Sequence, residues 1–226
     1  MTSLLEKVKA RGHWAVGIRP TEYVERVGRL ADLEEAVRTS AVELRGWDFP
    51  HYDYNEPPTR TSDYVEQGVD WRSIVELWRA YRSGQFLHIG TLLGDWRNGL
   101  DGSSAEEDWR VDATLGVEDA ISRFVEIYEF ASRWARRLSF GEATIIECTL
   151  RGLAGRALEL SPRRGVFRVN RRATQEEWRY QGRYQTAILF ATPRKLAVAP
   201  AIQLLEIFGF DITGDVVRDI QSELRS

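Results

Sequence analysis

Apolar residues change their period several times along this chain, and each change marks an element. Leu4, Leu5 and Val8 share one side of a short helix over Thr2–Ala10, with Thr2 or Ser3 placed to cap it. His13 to Ile18 alternates with the period of a strand, which Pro20 closes. Leu30, Leu33, Ala36 and Val37 return to helical spacing, and Val42 to Phe49 reads as extended. Pro57 and Pro58 exclude a helix over residues 55–62. Ser73 to Leu93 satisfies both periods, but the Ser83-Gly84 turn signal splits it into a hairpin, Glu76–Arg82 and Gln85–Leu92.

The second half is more regular. Ten apolar positions from Val117 to Leu138 form one helical stripe, with Glu118 and Asp119 in the first turn and Arg136 and Arg137 in the last. Asp119–Arg123 and Glu129–Arg133 are spaced for i,i+4 ion pairs on that helix. From Ala143 the period becomes two, with Ile145, Glu147 and Thr149 facing one way and Ile146, Cys148 and Leu150 the other. A later strand is predicted over Arg179–Phe190, with Tyr180, Tyr184, Thr186, Ile188 and Phe190 inward and Arg179, Gln181, Arg183 and Gln185 outward. Two C-terminal helices follow, one from about Pro200 stopped at Gly209 and one after Thr213. This order predicts an α+β fold: a mainly antiparallel sheet packed by one long central helix and two C-terminal helices. The 226 residues read as a single α+β domain, with a sub-domain boundary most readily placed in the polar loop 98–110.

Composition narrows the function classes. One cysteine, Cys148, excludes an intramolecular disulfide and any multi-cysteine metal site, and no apolar run or leader pattern marks a membrane or secretory segment. A cytoplasmic location without membrane contact is therefore expected. Nearly all of the 31 basic residues are arginines, since only Lys7, Lys9 and Lys195 are lysines. The chain also holds eight tryptophans. Trp134, Trp14, Trp78 and Trp178 fall on elements and are expected in the core; Trp71, Trp96 and Trp109 fall near loops or strand ends.

The densest chemical cluster runs from Arg45 to Tyr54, Arg-Gly-Trp-Asp-Phe-Pro-His-Tyr-Asp-Tyr. It resembles a bacterial family in which such a segment precedes a Ser-Gly-Gln-Phe hairpin, here Ser83–Phe86. In that family a long helix and then a Phe-Gly-aromatic-Asp segment follow, here Phe208–Asp211. Similar segments occur as extensions beside domains of the Schlafen AlbA DNA-binding type. The resemblance spans most of the chain and implies a fold unit, with no particular reaction.

By their chemistry, Asp48, His51 and Asp53, joined by His88 from the hairpin, are candidate catalytic residues, because an imidazole and a carboxylate can act as base and orienter or hold a metal. The competing reading is a packed aromatic corner in which Asp and His satisfy backbone groups. Asp63, Glu66, Asp70, Glu76, Glu142 and Glu147 offer carboxylates for a magnesium-dependent nuclease, but no strand lysine accompanies them. Nucleotide-binding glycine patterns and hydrolase motifs are missing, and no metal or other cofactor is expected.

Charge is unevenly distributed. Glu43 to Asp119 carries sixteen acidic residues and about half as many arginines, whereas Arg151 to Arg183 carries nine arginines against three glutamates. The small net charge of −3 hides this polarity. Arginine pairs bidentately with phosphate and stacks on rings, so Arg151, Arg156, Arg168, Arg171, Arg172, Arg179 and Arg183, with Trp178, form the candidate ligand-binding set. The simpler reading is a solvated face whose arginines meet the acidic half of the same or a neighbouring chain. The expectation is a non-enzymatic cytosolic module that recognises a partner protein, a phosphate-bearing ligand or a nucleic acid through an Arg-rich sheet face. Its alternatives are a hydrolase or nuclease built on Asp48, His51 and Asp53, and a structural subunit of a homo-oligomer or larger assembly.

Overall fold

A computed structural model describes residues 3–71, 74–100, 113–160 and 168–224, the side chains of 97–100 and 168–170 excepted. Helix α1 (Leu4–Lys9) leads into β1 (His13–Pro20) and α2 (Leu30–Ser40). The short strands β2 (Val42–Glu43) and β3 (Asp48–Phe49) pair with each other. Next come β4 (Thr59–Arg60), β5 (Tyr64–Trp71), β6 (Ile74–Tyr81) and β7 (Phe86–Thr91). A 3-10 segment, Leu93–Leu100, and β8 (Thr114–Gly116) precede the long helix α3 (Val117–Arg137). The chain continues through β9 (Ala143–Arg151), β10 (Ala157–Glu159), β11 (Arg168–Arg172) and β12 (Glu177–Gln185). It ends in α4 (Thr186–Ala191), α5 (Pro193–Leu196), α6 (Val198–Glu206) and α7 (Gly214–Ser222).

Seven strands form one antiparallel sheet in the order β12-β9-β1-β7-β6-β5-β4, so β1 sits near the middle, with β7 on one side and β9 on the other. β8, β10 and β11 form a separate small sheet in which β8 and β10 run parallel. The α+β class read from the sequence is the architecture observed. No helix among the described residues is long and apolar enough to cross a membrane.

The core lies between the inner face of the large sheet and α3. Trp14, Val16 and Ile18 of β1, Phe86 of β7 and Ile146, Cys148 and Leu150 of β9 all point into it. Phe124, Phe130 and Trp134 of α3 answer with edge and tilted ring contacts to Trp14, Phe86 and Trp178, at centroid separations of 5.3, 4.5 and 5.7 Å for Trp14–Phe124, Phe86–Phe130 and Phe124–Trp178. The predicted single stripe understates this burial. Ser122, Arg123, Val125, Glu126 and Ser132 are buried as well, because α2, the C-terminal helices and the Arg45–Phe49 segment, which covers Arg123 and Glu126, enclose α3 on its remaining sides. The apolar side of a helix that is enclosed in this way is wider than its stripe, and its polar positions must find partners inside.

Two expectations are corrected. The strand expected to reach Phe190 stops at Gln185, because its partner β9 begins at Ala143 and the Gln185–Ala143 pair is the last of the ladder. Thr186 then donates its N–H to Glu142 O, and the chain enters α4 with Leu189 buried. The expected Asp119–Arg123 pair is not formed: Asp119 meets Arg45 at 3.2 Å, and Arg123 sits 3.3 Å from Glu126. The predicted loop at 98–110 lies outside the described residues from 101 onward.

Candidate functional site

The Arg45–Tyr54 cluster folds into a clasp between α3 and the sheet. Arg45 donates from Nε and Nη2 to the two oxygens of the fully buried Glu126, at 2.8 and 2.9 Å, and packs over Trp47. Gly46, with φ +82°, makes the turn into β3, and Phe49 is buried against His88 and Phe130. His51 donates its backbone N–H to Glu76 Oε1 at 2.8 Å and accepts the indole N–H of Trp78 on its carbonyl at 2.9 Å. Asp53 is held the same way, its N–H donating to Gln67 Oε1 and its carbonyl accepting from Gln67 Nε2. Polar side chains on the inner face of β5 and β6 thus satisfy the backbone of a segment that lies against them.

His51 and His88 do meet, around Glu76 rather than around Asp48 or Asp53. Glu76 Oε2 lies 3.0 Å from His51 Nδ1 and 3.3 Å from His88 Nε2. Burial alone would push the Glu76 carboxyl up, but the two imidazoles more than offset it and hold the group well below the usual carboxylate range. All four ring nitrogens are sealed from solvent. The hollow beside them, lined by Trp47, His51, Thr91 and Arg123, encloses about 10 Å³, and the adjoining one toward Thr114 and Glu159 about 40 Å³. That is room for a few water molecules and not for an organic substrate.

The catalytic set is therefore corrected. Asp48 sits in β3 opposite Glu43, and Asp53 accepts from the N–H of Asn55 in a local turn. Neither joins the histidines, and the histidines have no access to a reactant. No group of His, Cys, Asp and Glu side chains among the described residues is arranged to hold a metal ion. Cys148 offers no alternative nucleophile, since burial and the neighbouring Glu147 push its thiol up to about 12.

The arginine set divides into three groups. Arg156 is fully buried in a bidentate ion pair with the equally buried Asp95, at 2.6 and 2.7 Å, and also donates to the carbonyls of Thr114 and Gly152. It holds the β9–β10 turn to the start of β8 and cannot meet a ligand. Trp178 is also withdrawn from the set: it points inward, 5% exposed, between Phe124 and Tyr180. Arg171 and Arg172 are exposed but lie on β11 of the small sheet, Arg171 over Gly209 and Arg172 donating to Gly155 O. The side chain of Arg168 lies outside the described residues.

Arg151, Arg179 and Arg183 remain, all exposed on the outer face of the large sheet. Register brings in a fourth arginine that sequence reasoning missed. Arg19 of β1 and Arg183 of β12 flank Ile145 of β9, while Ala15 and Arg179 flank Thr149, and Gly17 and Gln181 flank Glu147. Ala15, Gly17, Ile145, Glu147 and Thr149 make the middle of this face, with the Glu147 side chain lying over Gly17, and four guanidiniums stand around them. Glu147 pairs with Arg19 at 3.3 Å, and Glu177 pairs with both Arg151 and Arg179, which hold its carboxyl below the ordinary range. Arg183 has no acidic partner among the described residues. Helix α1 packs on the same outer face over β6 and β7, while Arg19, Arg151, Arg179, Gln181 and Arg183 stay at least partly exposed on β1, β9 and β12. The alternation in β1 was legible as a signal for Arg19, but which strands neighbour β1 was not.

No protein-family model, curated protein or solved structure matches the chain. Side-chain geometry therefore carries the functional reading.

Proposed function

We propose that the protein is a non-enzymatic recognition module that binds an anionic ligand on the outer face of its sheet, at β1, β9 and β12. One observation supports this reading above the others: Arg19, Arg151, Arg179 and Arg183 stand on one face of three adjoining strands, against the two carboxylates Glu147 and Glu177 of those strands. The four arginines are spread over three adjoining strands, so the sheet itself fixes their spacing, and guanidinium forks suit carboxylate or phosphate oxygens. The catalytic alternative loses its support because the candidate imidazoles are sealed.

Retention on an immobilised sulfated polyanion tests the reading. A chain of net charge −3 is held on such a column only by a local basic patch. The wild type is expected to elute at higher salt than Arg179→Glu/Arg183→Glu, with both proteins melting at the same temperature because the replaced side chains are exposed. Identical elution would remove the face from consideration.

A further inference from the structure

We infer that the anion recognised here is an extended acidic segment of a protein partner, which adds as a strand to the free edge of β12. The inference rests on the anion-recognition reading above and specifies its partner. The two ends of the sheet differ. At one end β4 is two residues long and follows Pro57-Pro58, which blunts that edge. At the other, β12 runs in unbroken register with β9 for nine pairs, without proline or bulge, and no described strand pairs with its outer side. A long regular edge presents a row of backbone donors and acceptors that a further strand can use.

Side-chain chemistry selects the partner. Arg179 and Arg183 project from the same face of β12 four residues apart, roughly 14 Å at the rise of a strand. Acidic side chains at i and i+4 of an added strand fall opposite them, where cross-strand pairs of opposite charge are favourable. The rings of β12 are turned away from that face: Trp178 packs on Phe124, and the Tyr184 hydroxyl meets that of Tyr128 at 2.7 Å. Bases of a nucleic acid would therefore find no stacking platform there. A second copy pairing symmetrically about Gln181 would set Arg179 against Arg183 of the other copy, so the charges that admit an acidic strand disfavour that self-association.

The probe is a labelled ten-residue peptide in which Glu alternates with Val and Thr, titrated against the full chain by fluorescence anisotropy, with backbone hydrogen exchange followed by NMR. Binding is expected, weakening by roughly tenfold or more in Arg179→Glu/Arg183→Glu. A peptide with Lys in place of Glu should not bind. Bound peptide should slow exchange at alternate amides across Glu177–Gln185. Arginine-dependent binding without that alternating protection would overturn edge addition while leaving anion recognition standing. Tighter binding of an oligodeoxythymidylate of equal charge would do the same. Protection of these amides in the absence of peptide, with a doubled mass in solution, would assign the edge to a second copy and overturn the inference. Failure of both probes to bind would overturn the edge and the face together.

Discussion

Replacing Arg156 by methionine isolates what a buried arginine does in this fold. The wild-type guanidinium makes two hydrogen bonds to Asp95 and two to backbone carbonyls, and both charged side chains have no exposed surface. Methionine fills much of the same volume but leaves the Asp95 carboxylate buried, with the N–H of Gly12 as its remaining hydrogen-bond donor. An orphaned buried charge costs about 3–5 kcal/mol. In a domain whose total stability is of the order of 5–15 kcal/mol, that loss lowers the melting temperature by roughly 6–20 °C. The double variant Asp95→Leu/Arg156→Met should recover most of the loss, because removing both charges removes the desolvation cost with them. The assay is urea denaturation followed by tryptophan fluorescence, with all four corners of the cycle measured. A cost below about 1 kcal/mol for Arg156→Met, or a double variant no better than the single, would refute the claim that this arginine is structural.

Three further outcomes follow from the same geometry. Glu76 is held ionised in the fold, so its contribution is present above its unfolded value near 4.5 and is lost as pH falls below it; Glu76→Gln should flatten the acid limb of a stability-against-pH curve by up to one proton, and an unchanged limb would contradict the cluster. Gly84 has φ +88° and a Cβ there would come within 2.7 Å of the Phe140 ring, so Gly84→Ala should cost more than about 1 kcal/mol by denaturant titration. Cys148, buried with its thiol raised to about 12, should react with a thiol reagent only as fast as the protein unfolds; prompt labelling of the native state would contradict its burial.

The elements were legible where one period ran long enough to dominate. The stripe of α3, the alternation of β9 and the Ser83-Gly84 turn each has its cause within a dozen or so neighbouring residues. What could not be read was anything decided by pairing. Thr186 to Ala191 alternates well enough to continue a strand, yet becomes helix because β9 offers no further partner beyond Ala143. The catalytic candidates failed for the same reason. Spacing put Asp48 and Asp53 beside His51, while the fold brought in Glu76 from twenty-five residues away and sealed the group. Arg156 and Arg183 look alike in sequence and end at opposite extremes of burial, because one faces Asp95 across the molecule and the other faces solvent. A charge excess read along the chain therefore overstated the recognition surface, and strand order supplied Arg19, which the count had omitted.

The recognition surface itself is most directly tested by mapping amide shifts in an NMR titration of the full chain with the acidic peptide. Changes are expected along β12, at Arg179, Gln181 and Arg183, and at Thr149 of the adjoining β9, with Trp47, His51 and Arg123 unmoved. Shifts centred on Trp47 and Arg123, with the outer face silent, would contradict the assignment.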